Sequence, residues 1–377
     1  MDGICDVAHN ASQVPGHRGQ EVKKHAGAWI KGLCKYGIGF GLLAYILHKH
    51  WEPKGSSPGI SGLLEQTPDF AAFIGLMVVF CLCVCIQFVR WFVLVRGLDL
   101  PFTLGNAFRL GLVGAFYNAF LPGSVGGDLV KAFYIAKDTP GRRASAVATV
   151  IADRLVGLFG LIWFSAAFGG GFWLAGDERI AGNDYLKKII WSCTGIVIAT
   201  VVGWLIMGFL PQSRAERFGG RLSRIPKLGP TLTEVWLVVW TYRQRPRVIY
   251  ATIAMTAVVH LGFVVMFHLA VRVFPSDAPA ALSEHFVIAP IGFIAQAFFP
   301  APGGLGGGEF IFGYLYTLLN RQETTGVVGR LAMRVVEWGI GLIGLYIWLR
   351  MKAHHELPEE ELEKNENDPP KPTGSAV

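Results

Sequence analysis

Two long apolar stretches of this chain are each broken by the same kind of segment, Asn118-Ala-Phe-Leu-Pro-Gly-Ser-Val-Gly-Gly-Asp128 and Gln296-Ala-Phe-Phe-Pro-Ala-Pro-Gly-Gly-Leu-Gly-Gly-Gly-Glu309. Each opens with an amide followed by Ala-Phe, an apolar residue and Pro, runs through glycines, and ends on a carboxylate. A continuous helix cannot run well through either, because proline removes a backbone donor and glycine disfavours helix interiors. Each break is followed by an arginine in the next apolar segment, Arg154 lying 26 positions after Asp128 and Arg334 lying 25 after Glu309. Duplicated breaks with charges beside them are what a transporter built from two related halves should display.

The surroundings of the breaks identify the solvent. Of 377 residues, 52% are hydrophobic and only 16% charged, against about 25% charged in soluble domains. About 20 apolar residues span a bilayer as helix, and six such runs are present: Ala28 to Leu47, Phe70 to Val95, Ala144 to Phe168, Lys188 to Leu210, Val248 to Phe274 and Gly326 to Leu349. The chain is read as an all-α integral membrane protein. The broken segments, Leu104 to Ala136 and Phe286 to Leu319, lie between these runs. Residues 1–27 form a polar arm without the short apolar core of a secretory signal, so the first helix is expected to be kept. Residues 351–377 form an acidic, proline-containing tail expected to be disordered. Cys81, Cys83 and Cys85 step by two and so point to different faces of a helix, which favours packing over a ligand cluster.

Charge sets the topology. Arg18, Lys23, Lys24 and Lys31 precede or open the first span, Lys131, Lys137, Arg142 and Arg143 surround the end of the first broken segment, and residues 211–247 form a strongly basic connection. Placing all three in the cytoplasm follows the positive-inside bias and makes the net charge of +7 a membrane feature rather than a nucleic-acid one. Each broken segment must then enter and leave on one side, the first cytoplasmic and the second external. The order is helix, helix, re-entrant hairpin, helix over residues 28–168, repeated upside down over residues 188–350: six full crossings and two hairpins, with both termini cytoplasmic. Eight plain crossings are the alternative. Thr231 to Tyr242, rich in Trp, Leu and Val, is expected to lie along the cytoplasmic surface as an amphipathic helix, and the basic connection to attract anionic head groups.

Non-helical backbone at membrane depth persists only where protein or a wet cavity satisfies it, so the hairpin tips should line a cavity. Glycines there let backbone N–H groups approach a ligand, and half-helices beginning at Asp128 and Glu309 aim their positive ends inward. A buried Asp or Arg costs about 2.5–3.5 kcal/mol on insertion scales, so these charges need partners or a function. One reading pairs Asp128 with Arg154 and Glu309 with Arg334 to neutralise one another. The other has the arginines grip a phosphate with forked hydrogen bonds while the acids exchange partners. Candidate binding residues are Asn118, Pro122, Gly123, Gly126, Gly127, Asp128, Lys131, Asp153 and Arg154 in the first half, and Pro300, Gly303, Gly304, Gly306, Gly307, Glu309 and Arg334 in the second. Asp153 and Glu337 are possible local partners of the arginines, Arg330 is expected nearer the outer surface, and His260 and His268 are read as cavity or packing residues.

Through Phe120-Leu-Pro-Gly-Ser-Val-Gly-Gly-Asp128-Leu-Val-Lys131, Asp153-Arg154-Leu-Val-Gly157, the second motif ending at Glu309, and Arg334, the chain resembles the lysylphosphatidylglycerol synthase transmembrane region family, also called the flippase-like domain family. The resemblance implies a protein of the cell membrane that translocates lipid. In bifunctional members an attached soluble domain makes the aminoacylated lipid. No such domain is expected here, so lysyl-lipid synthesis is not carried over.

The sequence therefore predicts a non-enzymatic, flippase-like transporter of an anionic or zwitterionic lipid or lipid-linked intermediate. Membrane lipids are the expected partners; no metal, cofactor or nucleic acid is called for, and homo-oligomerisation is left open. A membrane-embedded glycosyl or acyl transferase and a small-solute secondary transporter are the alternatives.

Overall fold

A computed structural model of the chain describes residues 36–53, 58–121, 126–178, 182–226, 229–274 and 280–353. The polar arm, residues 354–377 of the acidic tail, and Pro122 and Gly123 of the first motif lie outside them, while Met351, Lys352 and Ala353, placed in the tail by sequence, continue the last helix. Every regular element described is a helix. The chain is helical over residues 36–49 (α1), followed by Gly59–Leu64 (α2), Phe70–Gly97 (α3), Leu104–Phe120 (α4), Gly126–Asp138 (α5), Arg143–Leu174 (α6), Asp184–Gly208 (α7), Gln212–Leu222 (α8), Gly229–Arg243 (α9), Pro246–Ala270 (α10), Leu282–Ala297 (α11), Gly307–Leu318 (α12) and Glu323–Ala353 (α13). Among the described residues five helices, α3, α6, α7, α10 and α13, are long and apolar enough to cross a membrane. The first predicted span begins outside the described region.

Local chemistry places the ends. Asp69 caps α3 by accepting from Ala71 and Ala72 N–H at 2.9 and 3.0 Å, Thr103 caps α4, Asn183 caps α7, and Pro246 opens α10, where a missing N–H costs nothing. The glycines at 169–171 do not end α6, which continues to Leu174.

α3 and α10 run antiparallel at the centre. Gly97 meets Val248 at one end, Gly262 meets Cys83 in the middle, and Asp69 N–H donates to Val273 O at the other end. Two helical hairpins are built on this pair from opposite ends. In the first, α4 and α5 pack so closely that Gly127 sits on the Gly114 carbonyl. Its two ends are joined by Arg142, which donates to Leu98 O at 2.7 Å and Asp99 O at 3.2 Å. In the second, the Phe312 ring of α12 fills the space over Gly292 of α11, and Arg321 joins the ends by binding Glu284 at 3.0 Å. The sequence places the start of this hairpin at Phe286. It begins at Leu282 because the Glu284 carboxylate accepts from Ala281 N–H and stabilises an earlier first turn.

The hairpins touch at their tips, where Gly303 lies against the carbonyls of Asn118 and Ala119. α1 covers both, with Tyr36 OH donating to Phe120 O at 2.6 Å and Gly39 packed on Ala301. The neighbours are matched between halves: α6 packs on α5 and α11, as α13 packs on α12 and α4.

The basic 211–247 connection is two helices rather than an open loop. α9 packs against the body of the protein. It buries Val238 and Tyr242, and Tyr242 OH donates to Leu94 O at 2.9 Å. Arg245, just after α9, reaches Asp99 at the base of the first hairpin at 2.6 Å and holds that carboxyl below its ordinary range.

The α4–α13 contact depends on absent side chains, since a Cβ on Gly344 would lie 2.0 Å from the Leu112 carbonyl oxygen, whereas one on Gly339 meets nothing. Gly344→Val should therefore lower stability by about 1–3 kcal/mol, and Gly339→Ala should be neutral or mildly stabilising. Thermal unfolding of both variants in detergent checks this, and equal melting temperatures would contradict the packing.

Candidate functional site

Each motif's opening amide closes its own turn. Asn118 Oδ1 accepts from Gly127 N–H at 2.9 Å across the first break, and Gln296 Nε2 donates to Gly303 O at 3.1 Å across the second. The second tip contains a short 3-10 turn, Pro302–Gly304. Gly303, Gly304 and Gly306 have φ of 54°, 69° and 75°, a region that penalises any residue with a Cβ. Gly307 passes under the Phe299 ring, and a Cβ there would lie 2.3 Å from it. Pro300 is exposed at the turn, and Gly126 packs on Leu121.

The helices that leave the tips carry the acids in their first turns, Asp128 on α5 and Glu309 on α12, where the dipole favours negative charge. The protein's own carboxylates thus occupy the positive helix ends that the sequence assigns to an anionic guest. Each arginine sits about three turns into the following helix, which brings it back to the tip. Asp128 binds Arg154 Nε, and Glu309 Oε1 accepts from Arg334 Nε at 2.5 Å. Both sequence-predicted pairs are formed.

The pairs differ in setting. The Arg154 side chain is 45% exposed, and Asp128 has a second cation, Lys131, at 3.8 Å. Lys131 also lies over the Trp91 ring. In the second half Glu309 and Arg334 are sealed, at 0% and 2% exposure. Arg334 completes the tip by donating to Gly303 O and Gly304 O at 3.3 Å each.

Three further residues join this buried cluster. Arg330 is fully buried: its Nε donates to Gln296 Oε1 at 2.8 Å and its Nη2 to Glu337 at 2.9 Å. It lies one turn before Arg334 on the inward face of α13, and that spacing was the signal available in the sequence. Glu337 is thus a partner of Arg330, not of Arg334. Glu309 Oε2 and Arg330 Nη1 are buried polar atoms with no hydrogen-bond partner. A single group that donates to Glu309 Oε2 and accepts from Arg330 Nη1, such as water, would satisfy both.

Asp153, beside Arg154 in sequence, faces away from it and binds Arg90 at 2.8 Å, while Arg90 also donates to Thr256 at 3.0 Å. This buried pair ties α3, α6 and α10 together. His260 is buried on Thr256 O, and His268 faces His285, which in turn meets Tyr316 OH.

Burial decides what breaking each pair costs. Removing one partner of a buried ion pair strands the other, at about 3–5 kcal/mol, while partly solvated pairs contribute about 0–1 kcal/mol. Glu309→Ala should therefore destabilise by about 3–5 kcal/mol and Asp128→Ala by about 1 kcal/mol, read from chemical unfolding in detergent. The reverse order would contradict the assignment of the sealed and open sites.

Comparison with known proteins agrees with this architecture. A stretch of 103 residues, 27% of this chain and 31% of the relative, is 30% identical to the UPF0104 membrane protein PH1989 of Pyrococcus horikoshii. The match therefore spans about a third of that relative's length. No solved structure gives a significant match. The model of the lysylphosphatidylglycerol synthase TM region matches residues 58–344, which takes in both hairpins, both ion pairs, four of the five long helices and most of the fifth, and the chain belongs to that family of membrane proteins.

Proposed function

We propose that this protein moves an anionic or zwitterionic lipid, or a lipid-linked intermediate, between the leaflets of the cell membrane. In this reading the two hairpins are re-entrant, six helices cross fully, and residues 28–168 and 188–350 are an inverted repeat with both termini cytoplasmic. The matched neighbours of α6 and α13, the joined ends of each hairpin and the basic helices beside the first hairpin's base support that arrangement.

The observation that carries the proposal is the unequal pair of carboxylate–arginine sites at touching tips. Two cations, Arg154 and Lys131, share a largely buried Asp128 at a site opened by its half-exposed arginine, whereas Glu309 and Arg334 are closed off. A phosphate entering at the open site takes the guanidinium fork of Arg154 in exchange for Asp128. Transfer to the opposite leaflet requires the second site to open as the first closes, with Gly303 and the Asn118 carbonyl as the sliding contact. Movement is downhill or coupled to an ion or proton gradient. A transporter is preferred to a transferase because both candidate bases, Asp128 and Glu309, are ion-paired to arginines, and a cation beside a carboxylate favours its charged form and makes it a weak base.

Reconstituted vesicles test this with a head-group-labelled anionic phospholipid and a membrane-impermeant quencher. Arg154→Gln, at a half-exposed position, should fold normally and slow lipid exchange at least about tenfold, the loss of one charge-assisted contact. Exchange at the wild-type rate in folded Arg154→Gln would remove the open site from the transport path.

A further inference from the structure

A second basic site lies away from the hairpin tips, where α7 ends and α8 begins. α7 is the least covered of the long helices, with only 11% of its apolar window buried inside the protein, so its side faces lipid. Ile206 and Met207 of its last turn, with Leu210 just beyond it, line a cavity of about 550 Å³, whose other wall is formed by Arg214, Arg217 and Arg221 of α8.

The rotation of α8 is fixed. Its small residues Ala215 and Gly219 lie against Trp236 of α9, whose Nε1 donates to Ala215 O at 2.9 Å. Positions 214, 217 and 221 then share one face at helical spacing. Glu216, the acid of this helix, points the other way and accepts from Gln212 at 2.9 Å. Arg217 Nε donates to Ser213 O within the helix, while Arg214 and Arg221 have no side-chain partner among the described residues. Three guanidinium groups therefore face one apolar wall with no carboxylate between them.

We infer that this cavity is a binding site for an anionic phospholipid of the adjoining leaflet, phosphate on the arginine face and acyl chain along α7. Guanidinium groups match phosphate oxygens in forked geometry, and the apolar wall continuous with the lipid-facing side of α7 selects a lipid over free phosphate. Through α9, which is bonded to Leu94 and followed by the Arg245–Asp99 pair, an occupied site would brace the base of the first hairpin. This lipid is a resident ligand, distinct from any transported one.

The test is native mass spectrometry of the full chain released from micelles holding equal phosphatidylglycerol and phosphatidylcholine with identical acyl chains. Retention of phosphatidylglycerol should dominate in the wild type and in the opposite-face control Glu216→Gln. In R214Q/R217Q/R221Q its affinity should fall on the order of 100-fold, about fivefold for each arginine near an anionic surface. Glycerol 3-phosphate, the head group alone, should fail to displace it. Equal retention of the two lipids by the wild type, undiminished selectivity in the folded triple variant, or displacement by the head group alone would each overturn the site. The readout is binding, so its failure is separate from any failure of lipid exchange.

Discussion

The fold depends on finding partners for the backbone groups that the two glycine-proline breaks expose inside an apolar protein. In lipid, an unpartnered N–H or C=O costs several kcal/mol. The partners are specific: Asn118 takes Gly127 N–H, Gln296 and Arg334 take the carbonyls of Gly303 and Gly304, and Tyr36 takes Phe120 O. The tips so closed lie side by side under α1, Gly303 against the Asn118 and Ala119 carbonyls. That contact in turn fixes where α6 and α13 deliver their arginines.

Charge follows from the same constraint. A carboxylate in the first turn after each break is stabilised by the helix end, and an arginine about three turns into the next helix returns to it. Yet the equivalent pairs are not equally enclosed. The second tip recruits Gln296, Arg330 and Glu337 into a sealed network, while the first leaves Arg154 half exposed beside Lys131. In the transport proposed above, this inequality between the two sites corresponds to a carrier held in one of its two states.

Much of this was legible in the sequence because it is periodic or repeated. The apolar runs mark the long helices, the breaks mark the half-helices, and the acid-to-arginine spacing anticipates both ion pairs. What was not legible depends on rotation about helix axes and on distant partners. Asp153 and Arg154 are neighbours in sequence yet face Arg90 and Asp128 on different sides of α6. Arg330 has no partner legible in sequence until α11 brings Gln296 against it. Residues 211–247 read as a basic loop because the small contact residues Ala215 and Gly219 carry no hydrophobic signal of their own, although they seat α8 on Trp236.

The most direct test of opposed hairpins meeting inside the membrane is accessibility of single cysteines, on a cysteine-free background, at the exposed ends Thr103 and Gly141 of the first hairpin and Leu282 and Asn320 of the second. Labelling of the first two only from the cytoplasm and the last two only from outside is the predicted result. Labelling of the two ends of either hairpin from opposite sides would make that segment a plain crossing and contradict the account.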